Sequence, residues 1–316
     1  MQLARGGSEV RLGGLMELDL LEAMAAEREN TRYLPGVSFP ENLVANADLE
    51  ACLTGAATVL VVVPSHGLRD TLTKILPLLG PDASVCWATK GFELHTGKLP
   101  NQVATEVLGS KRPMAVLSGP TFAKEVAEGL PSAMTVASQD AAFAEALAKA
   151  LSSNNFRAYT SDDMVGVEVG AAIKNVLAIG AGMSDGLGFG ANTRVALITR
   201  GLNEMMRLGL ALGAKRETFM GLAGMGDLVL TCTDNLSRNR RMGLALAAGK
   251  TVEEAQEEIQ QVVEGVLAAE AVNEVAENLG IEMPICHQIY RILYEGAAPH
   301  EAVGNLMGRQ LTAEHE

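Results

Sequence analysis

The chain changes its pattern of apolar and polar positions about halfway. Up to about residue 160, short apolar runs alternate with segments whose apolar positions recur at helical spacing. Residues 9–12 read as a short strand and 15–28 as a helix ahead of the turn Tyr33-Leu34-Pro35-Gly36. ATVLVVVPS (57–65) is apolar almost throughout, as a strand covered on both faces would be, and 68–79 reads as its crossover helix. SVCWATKG (84–91) and PMAVLSGP (113–120) repeat the plan, each with a helix after it. SAMTVAS (132–138) and FRAYTS (156–161) add strands around a helix at 141–151. Strands and helices alternating at this period predict a Rossmann-like, mostly parallel open sheet, whose ligands lie beyond the carboxyl ends of the strands.

From residue 162 the strand signals stop. Helices are expected at 164–182, 194–212, 216–220, 238–248, 252–260, 266–279 and 284–295, with Gly213, Gly249 and Gly280 where C-terminal caps belong. The predicted architecture is α/β in residues 1–161 followed by an all-α domain in 162–316, a division that suits 316 residues. The cleft between the two is the expected site.

Composition narrows the function. A formal charge of −13 repels nucleic acid and anionic membrane, so an anionic ligand has to be gathered by a local cationic cluster. The longest apolar run, 56–64 with Thr58 allowed, falls far short of the ~20 residues a bilayer requires, and no membrane span is expected. QLARGGSEVRL after Met1 lacks the apolar core of a secretory signal, so the expected location is the cytoplasm. Cys52, Cys86, Cys232 and Cys286 are scattered, without CxxC spacing, and read as small buried hydrophobes in a reducing compartment. The histidines at 66, 95, 287, 300 and 315 form no ligand pattern, so no metal is expected.

Candidate chemistry starts at MVGVEVGAAIKNVLAIGAG (164–182), which sets Lys174 and Asn175 inside an apolar, Gly/Ala-rich helix. Burial lowers a lysine's pKa, so such an amine is either paired with a carboxylate or poised to exchange protons; the alternative is a side chain snorkelling to water. Lys90, just past the end of a strand, faces the ligand crevice of such a sheet or is a solvated loop charge. Gly119, Pro120 and Thr121 make a tight turn into a helix, where glycine lets a ligand approach the backbone. In GLAGMGDLVLTCTDNLSRNRR (221–241), glycines lead flexibly into Asp227, Ser237 is placed as a helix N-cap, and Arg238 and Asn239 occupy the first turn. A guanidinium beside helix N-terminal amides suits a phosphate, against the plainer reading of a cap with a solvated basic face.

Taken together, ATKG, SGPTFAKEVAEGLP, VGAAIKNVLAIGAGMSDGLGFGANTRVALITRGL, GLAGMGDLVLTCTDNLSRNRR and QVVEG resemble the bacterial NAD(P)-dependent glycerol-3-phosphate dehydrogenases, from about Leu3 to the C-terminus. The resemblance implies an oxidoreductase that exchanges a hydride between sn-glycerol 3-phosphate and NAD or NADP, giving dihydroxyacetone phosphate, in phospholipid synthesis. It places Lys174 as the catalytic proton acceptor or donor. Lys90, Gly119, Thr121, Asp227, Ser237, Arg238 and Asn239 match substrate contacts, and Lys90, Ala123, Arg238, Val262 and Glu264 match cofactor contacts. A homodimer is expected, and the partners are small molecules.

That family opens with a strand running into GxGxxG, which this sequence lacks; Gly6-Gly7 and Gly13-Gly14 do not supply the spacing. The expectation is a sheet without its first strand and pyrophosphate loop, leaving unpaired strand edges, and about 20 further residues upstream of Met1. GGLMELD offers no ribose contact, so NAD and NADP remain equal choices. Two other functions remain open on the residues: a related hydroxy-acid dehydrogenase, and a cofactor-free sensor or inactive form that binds a phosphotriose.

Overall fold

The computed structural model describes residues 1–308; His315 and the end of the expected helical domain lie outside them. The seven strands among these residues all precede residue 162: β1 Val10–Leu12, β2 Leu43–Ala45, β3 Thr58–Val61, β4 Ser84–Trp87, β5 Met114–Ser118, β6 Ser132–Ala137 and β7 Phe156–Ser161. Between them run α1 Gln2–Arg5, α2 Leu18–Glu27, α3 Leu49–Leu53, α4 Leu68–Ile75, α5 Pro100–Leu108, α6 Ala123–Glu128 and α7 Ala141–Leu151. After β7 come α8 Met164–Gly186, α9 Gly190–Ala211, α10 Arg216–Phe219, α11 Asp227–Thr233, α12 Arg238–Ala247, α13 Val252–Ile259, α14 Glu264–Leu279, α15 Pro284–Tyr294 and α16 Pro299–Met307.

The strands form two sheets. β1 and β2 pair in parallel, and β3 to β7 form a five-stranded sheet in sequential order, parallel except where β6 runs against β5. Among the described residues nothing pairs with the outer edge of β3, so the expected unpaired edges are present. This corrects one expectation. Residues 57–65 are not covered on both faces: β3 ends at Val61, only Val61 within it is buried, and Val62 stands 68% exposed. A strand bonded on one side alone lacks the neighbour whose side chains would cover it. The sequence pattern also missed β2, α1, α3, α11 and α16, which are too short for hydrophobic periodicity to register.

α8 is the axis of the helical half. Its N-cap Asp163 accepts from the Gly166 amide at 2.9 Å and also from the Lys215 amide and the Thr218 hydroxyl, which ties the helix start to α10. Of the described helices, only α8 is long and apolar enough to cross a bilayer, yet 94% of its most apolar window is buried inside the protein. Glycines explain how so many neighbours reach it. A Cβ on Gly182 would collide with the Arg240 carbonyl oxygen, and one on Gly243 with the Ile179 carbonyl oxygen, so α8 and α12 touch backbone to backbone. One apolar core surrounds α8 and takes in Phe92 and Leu99 from the sheet half. A second core, under β3 to β5, takes in Met164, Val167 and Ala223. The two halves are therefore packed through shared cores.

Glu204 on α9 caps α15. Its carboxylate accepts from the Ile285 amide at 2.6 Å and the Cys286 amide at 3.1 Å, while burial pushes its pKa up to about 7. A carboxyl whose folded pKa lies above its unfolded value binds its proton more tightly when folded. Its contribution is complete below the unfolded value of 4.5 and is lost as pH rises through about 7. Glu204→Gln, which cannot ionise, is expected to remove that slope. Urea unfolding of both proteins between about pH 4.5 and 8 should show the difference moving in the variant's favour as pH rises, and a constant difference would contradict this.

Candidate active site

Three charged side chains meet where α8, α11 and the end of β4 converge. The Lys174 Nζ lies 2.5 Å from Asp227 Oδ1, and the Lys90 Nζ lies 3.3 Å from Asp227 Oδ2, so one carboxylate holds two ammonium groups. Lys174 and Asp227 are buried, whereas the Lys90 side chain keeps 22% of its surface open, on the ligand side of the sheet. Lys174 also donates to the Thr231 hydroxyl at 3.1 Å, and Thr231 in turn donates to the Asp227 carbonyl at 2.6 Å, one helical turn back.

The electrostatics follow from burial and from sharing one anion between two cations. Burial pushes Lys174 down, Asp227 pulls it up, and the nearby Lys90 charge pushes it down again; the net result is a pKa of about 8. Burial acts on Lys90 too, but Asp227 and the charge of Glu264 outweigh it and leave that group above its ordinary value. Asp227 is raised by burial, yet the two lysines overcome this and hold it below the usual carboxylate range. Burial and the shared anion thus separate the two lysines, Lys90 being held above its ordinary value and Lys174 lowered to about 8.

Local sequence sets each position. Asp227 was expected at the end of a flexible glycine lead-in; instead Leu222–Gly226 forms a π turn, closed by the Gly226 amide on the Gly221 carbonyl at 3.1 Å, that runs straight into α11. There Gly224 lies against the Phe219 backbone so closely that no side chain fits. That packing gives Asp227 a fixed bearing. Thr231 was not foreseen, although its position four residues after Asp227 would have marked it once a helix was read there.

The phosphate-anchor candidates lie on α12. Ser237 is its N-cap and accepts from the Arg240 amide at 3.2 Å, as the sequence predicts. The Arg238 side chain is exposed. Asn239 has a different position from the one expected of a simple ligand contact. Its amide donates to Asn175 Oδ1 at 3.0 Å and accepts from the Gly265 amide at 2.8 Å, so its main bonds tie α12 to α8 and α14. Asn175 neighbours Lys174, and this bridge brings the start of α12 to the lysine pair. Arg240 reinforces it through Asp185, at 2.6 Å, at the far end of α8.

Gly119 follows β5 with φ of +150°, and a Cβ there would press on the Met134 Cα. Thr121 turns its hydroxyl onto the Gly119 carbonyl at 3.2 Å, Ala123 opens α6 and is exposed, and the Ser118 hydroxyl is buried without a partner. Val262 is 49% exposed, and Glu264 begins α14 close enough for its charge to act on Lys90. A surface cavity of about 400 Å³ bordered by Asn235, Arg241, Leu244 and Ile259 includes neither lysine.

Residues 1–144 match the model of the NAD-dependent glycerol-3-phosphate dehydrogenase N-terminus, and residues 163–304 match that of the C-terminus. The chain is 53% identical over 310 residues to a glycerol-3-phosphate dehydrogenase [NAD(P)+] of Photobacterium profundum, covering 98% of this chain and 91% of that protein. To the protein of the same name in Pseudoalteromonas translucida it is 55% identical over 313 residues, covering 99% and 93%. Its fold matches a crystal structure of glycerol-3-phosphate dehydrogenase from Coxiella burnetii with a TM-score of 0.94 at 47% identity, over 98% of this chain and 94% of that one.

Replacing Asp227 with alanine leaves two ammonium groups without their anion, one of them buried. Removing one member of a buried pair typically costs about 3–5 kcal/mol, and chemical unfolding of Asp227→Ala is expected to show a loss of that size. Lys90→Ala, at the more open and longer contact, should lose less. Equal losses for the two variants would mean that the carboxylate does not depend on both cations.

Proposed function

The chain belongs to the NAD-dependent glycerol-3-phosphate dehydrogenase family, and on that premise we propose that Lys174 is the proton-exchanging group of its reaction and the start of α12 its phosphate anchor. The protein is an NAD(P)-dependent oxidoreductase that interconverts sn-glycerol 3-phosphate and dihydroxyacetone phosphate. What carries the assignment of Lys174 is its geometry: a buried amine, 2.5 Å from one carboxylate and 3.1 Å from a hydroxyl, beside a second and more open cation.

The residues present suit the nicotinamide end of the cofactor. Val62, Val262 and Ala123 are exposed and apolar, Arg238 is exposed and the Lys90 side chain is partly open, so apolar surface and positive charge are both available to a ligand. Lys90, Ala123, Arg238, Val262 and Glu264 would hold it. When bound, the nicotinamide accepts or supplies the hydride at C2 of the triose. The chain's own residues manage everything else. The neutral Lys174 amine takes the proton from the C2 hydroxyl as hydride departs, and the ammonium returns it when the carbonyl is reduced. Lys90, kept charged by Asp227, stabilises the negative charge that develops on that oxygen. Arg238 and the amides at the start of α12 bind the phosphate, with Ser237 and Asn239 holding the helix start in place; Gly119 and Thr121 add substrate contacts. Asp227 orients both ammonium groups.

In a chain of net charge −13, a local group of cations is what draws in a phosphorylated substrate. Four free, buried cysteines suit the reducing cytoplasm. Exposed apolar side chains on the helical half, Val195, Leu210 and Met220, support a homodimer.

Oxidation of glycerol 3-phosphate needs Lys174 neutral, so its kcat should rise with pH through about 8; reduction of dihydroxyacetone phosphate needs the ammonium, and its kcat should fall over the same range. Parallel pH profiles in the two directions would contradict the role of Lys174. Lys174→Ala should abolish turnover with little change in binding of dihydroxyacetone phosphate, whereas Arg238→Ala should raise KM. Steady-state kinetics with isothermal titration separates the two, and identical phenotypes would sink the assignment.

A further inference from the structure

One buried carboxyl stands outside the chemistry described so far. Glu168 lies on α8 with 2% of its surface exposed and has no cation at hand. Its Oε1 accepts from the Trp87 indole N–H at 2.9 Å, and its Oε2 accepts from the Asn101 backbone N–H at 3.2 Å. Trp87 is the last residue of β4, three residues ahead of Lys90, and Asn101 sits in the first turn of α5. Glu168 itself precedes Lys174 by six residues, about 9 Å along the helix axis. Lys174 therefore shares a helix with this carboxyl, and Lys90 lies three residues past the strand that the carboxyl joins to that helix.

The cost of that arrangement indicates its use. An unpaired buried carboxyl is expensive to desolvate, and burial pushes this one up to about 8. Leucine has a similar volume and would fill the same space without that penalty. What leucine cannot do is accept two directed hydrogen bonds from two different elements.

We propose that Glu168 is a positioning residue: by joining α8 to the end of β4 and the start of α5, it sets the distance between Lys174 and Lys90 across Asp227. The contact at risk is the longer one, Lys90 to Asp227 at 3.3 Å, because Lys90 follows the end of β4 by three residues and Asp227 lies on α11. Without the latch α8 and the sheet stay packed through their shared core, but the end of β4 loses its directed bonds to α8, and a misplacement of about 1 Å in a catalytic group can cost roughly a hundredfold in rate. The inference rests on the dehydrogenase reading given above.

The test uses Glu168→Leu, Glu168→Gln and Trp87→Phe in the full-length protein, with the Trp87→Phe/Glu168→Leu double variant. Glu168→Gln retains one oxygen acceptor for the indole and is expected to stay within about threefold of wild-type kcat. Glu168→Leu should remain folded and lose roughly tenfold to a hundredfold in kcat, with little change in KM for glycerol 3-phosphate. Trp87→Phe should fall in the same direction, and the double variant should be no worse than Glu168→Leu alone, because both remove one connection. A folded Glu168→Leu with wild-type kcat, or losses that simply add in the double variant, would overturn the proposal.

A second readout does not need turnover. Competitive acetylation of the intact protein at a series of pH values, read by peptide mass spectrometry, reports how readily Lys174 ionises. Loosening the latch moves the Lys90 charge away and admits water, so the Lys174 titration should move upward in Glu168→Leu and stay in place in Glu168→Gln. Trp87, the sole tryptophan, should report the lost indole hydrogen bond as a shift in its emission in Glu168→Leu. If wild type shows no turnover with glycerol 3-phosphate and NAD(P), the dehydrogenase reading fails while these two measurements still judge the latch. An unmoved Lys174 titration in a folded Glu168→Leu would refute it.

Discussion

A carboxylate shared between two ammonium groups is the constraint on which the rest of the structure depends. Asp227 can neutralise only one of its neighbours, so Lys90 and Lys174 cannot titrate alike. The more open Lys90 is held above its ordinary value, and the buried Lys174 is lowered to about 8. The asymmetry arises from burial and position, and it gives one site a fixed cation and a movable proton. Such a group needs rigid supports, because a single unpaired charge there would be worth several kcal/mol.

Those supports come together on α8. Its start is fixed to α10 through Asp163, its middle carries Lys174 and Asn175, and its end carries Asp185, which pairs with Arg240 and Arg194. Small residues let the backbones of α8 and α12 touch, so α12, the helix proposed to anchor the phosphate, is held close beside the helix that carries Lys174. Asn239 then ties Asn175 to Gly265. Asn239, which looks like a ligand contact when read singly, is a joint of the frame.

The sheet contributes differently. It is split into two pieces, and the free edge of β3 leaves Val62 open to water at the ligand end. The lysine at the end of β4 nevertheless holds its place, because β4 is the interior partner of β3 and β5 and its last residue is bonded into α8. The part of the sheet that carries charge into the site is the part hydrogen-bonded on both sides.

Local chemistry determined much of this protein. The change from strand-and-helix alternation to helices alone, the helices at 141–151 and 164 onward, the capping role of Ser237 and the odd placement of Lys174 in an apolar helix are all legible in the sequence, because each depends on neighbours within a few residues. The long blocks around Lys90, Lys174 and Asp227 also made the family legible. Tertiary structure alone decided which carboxylate holds the lysines, since Asp227 lies 53 residues from one and 137 from the other. It also turned the glycine lead-in into a π turn, bound Asn239 into the frame, uncovered β3 and set Glu168 against Trp87. Each of these rests on a contact between distant segments, and the energy of such a contact belongs to the packed molecule and leaves no periodic trace along the chain.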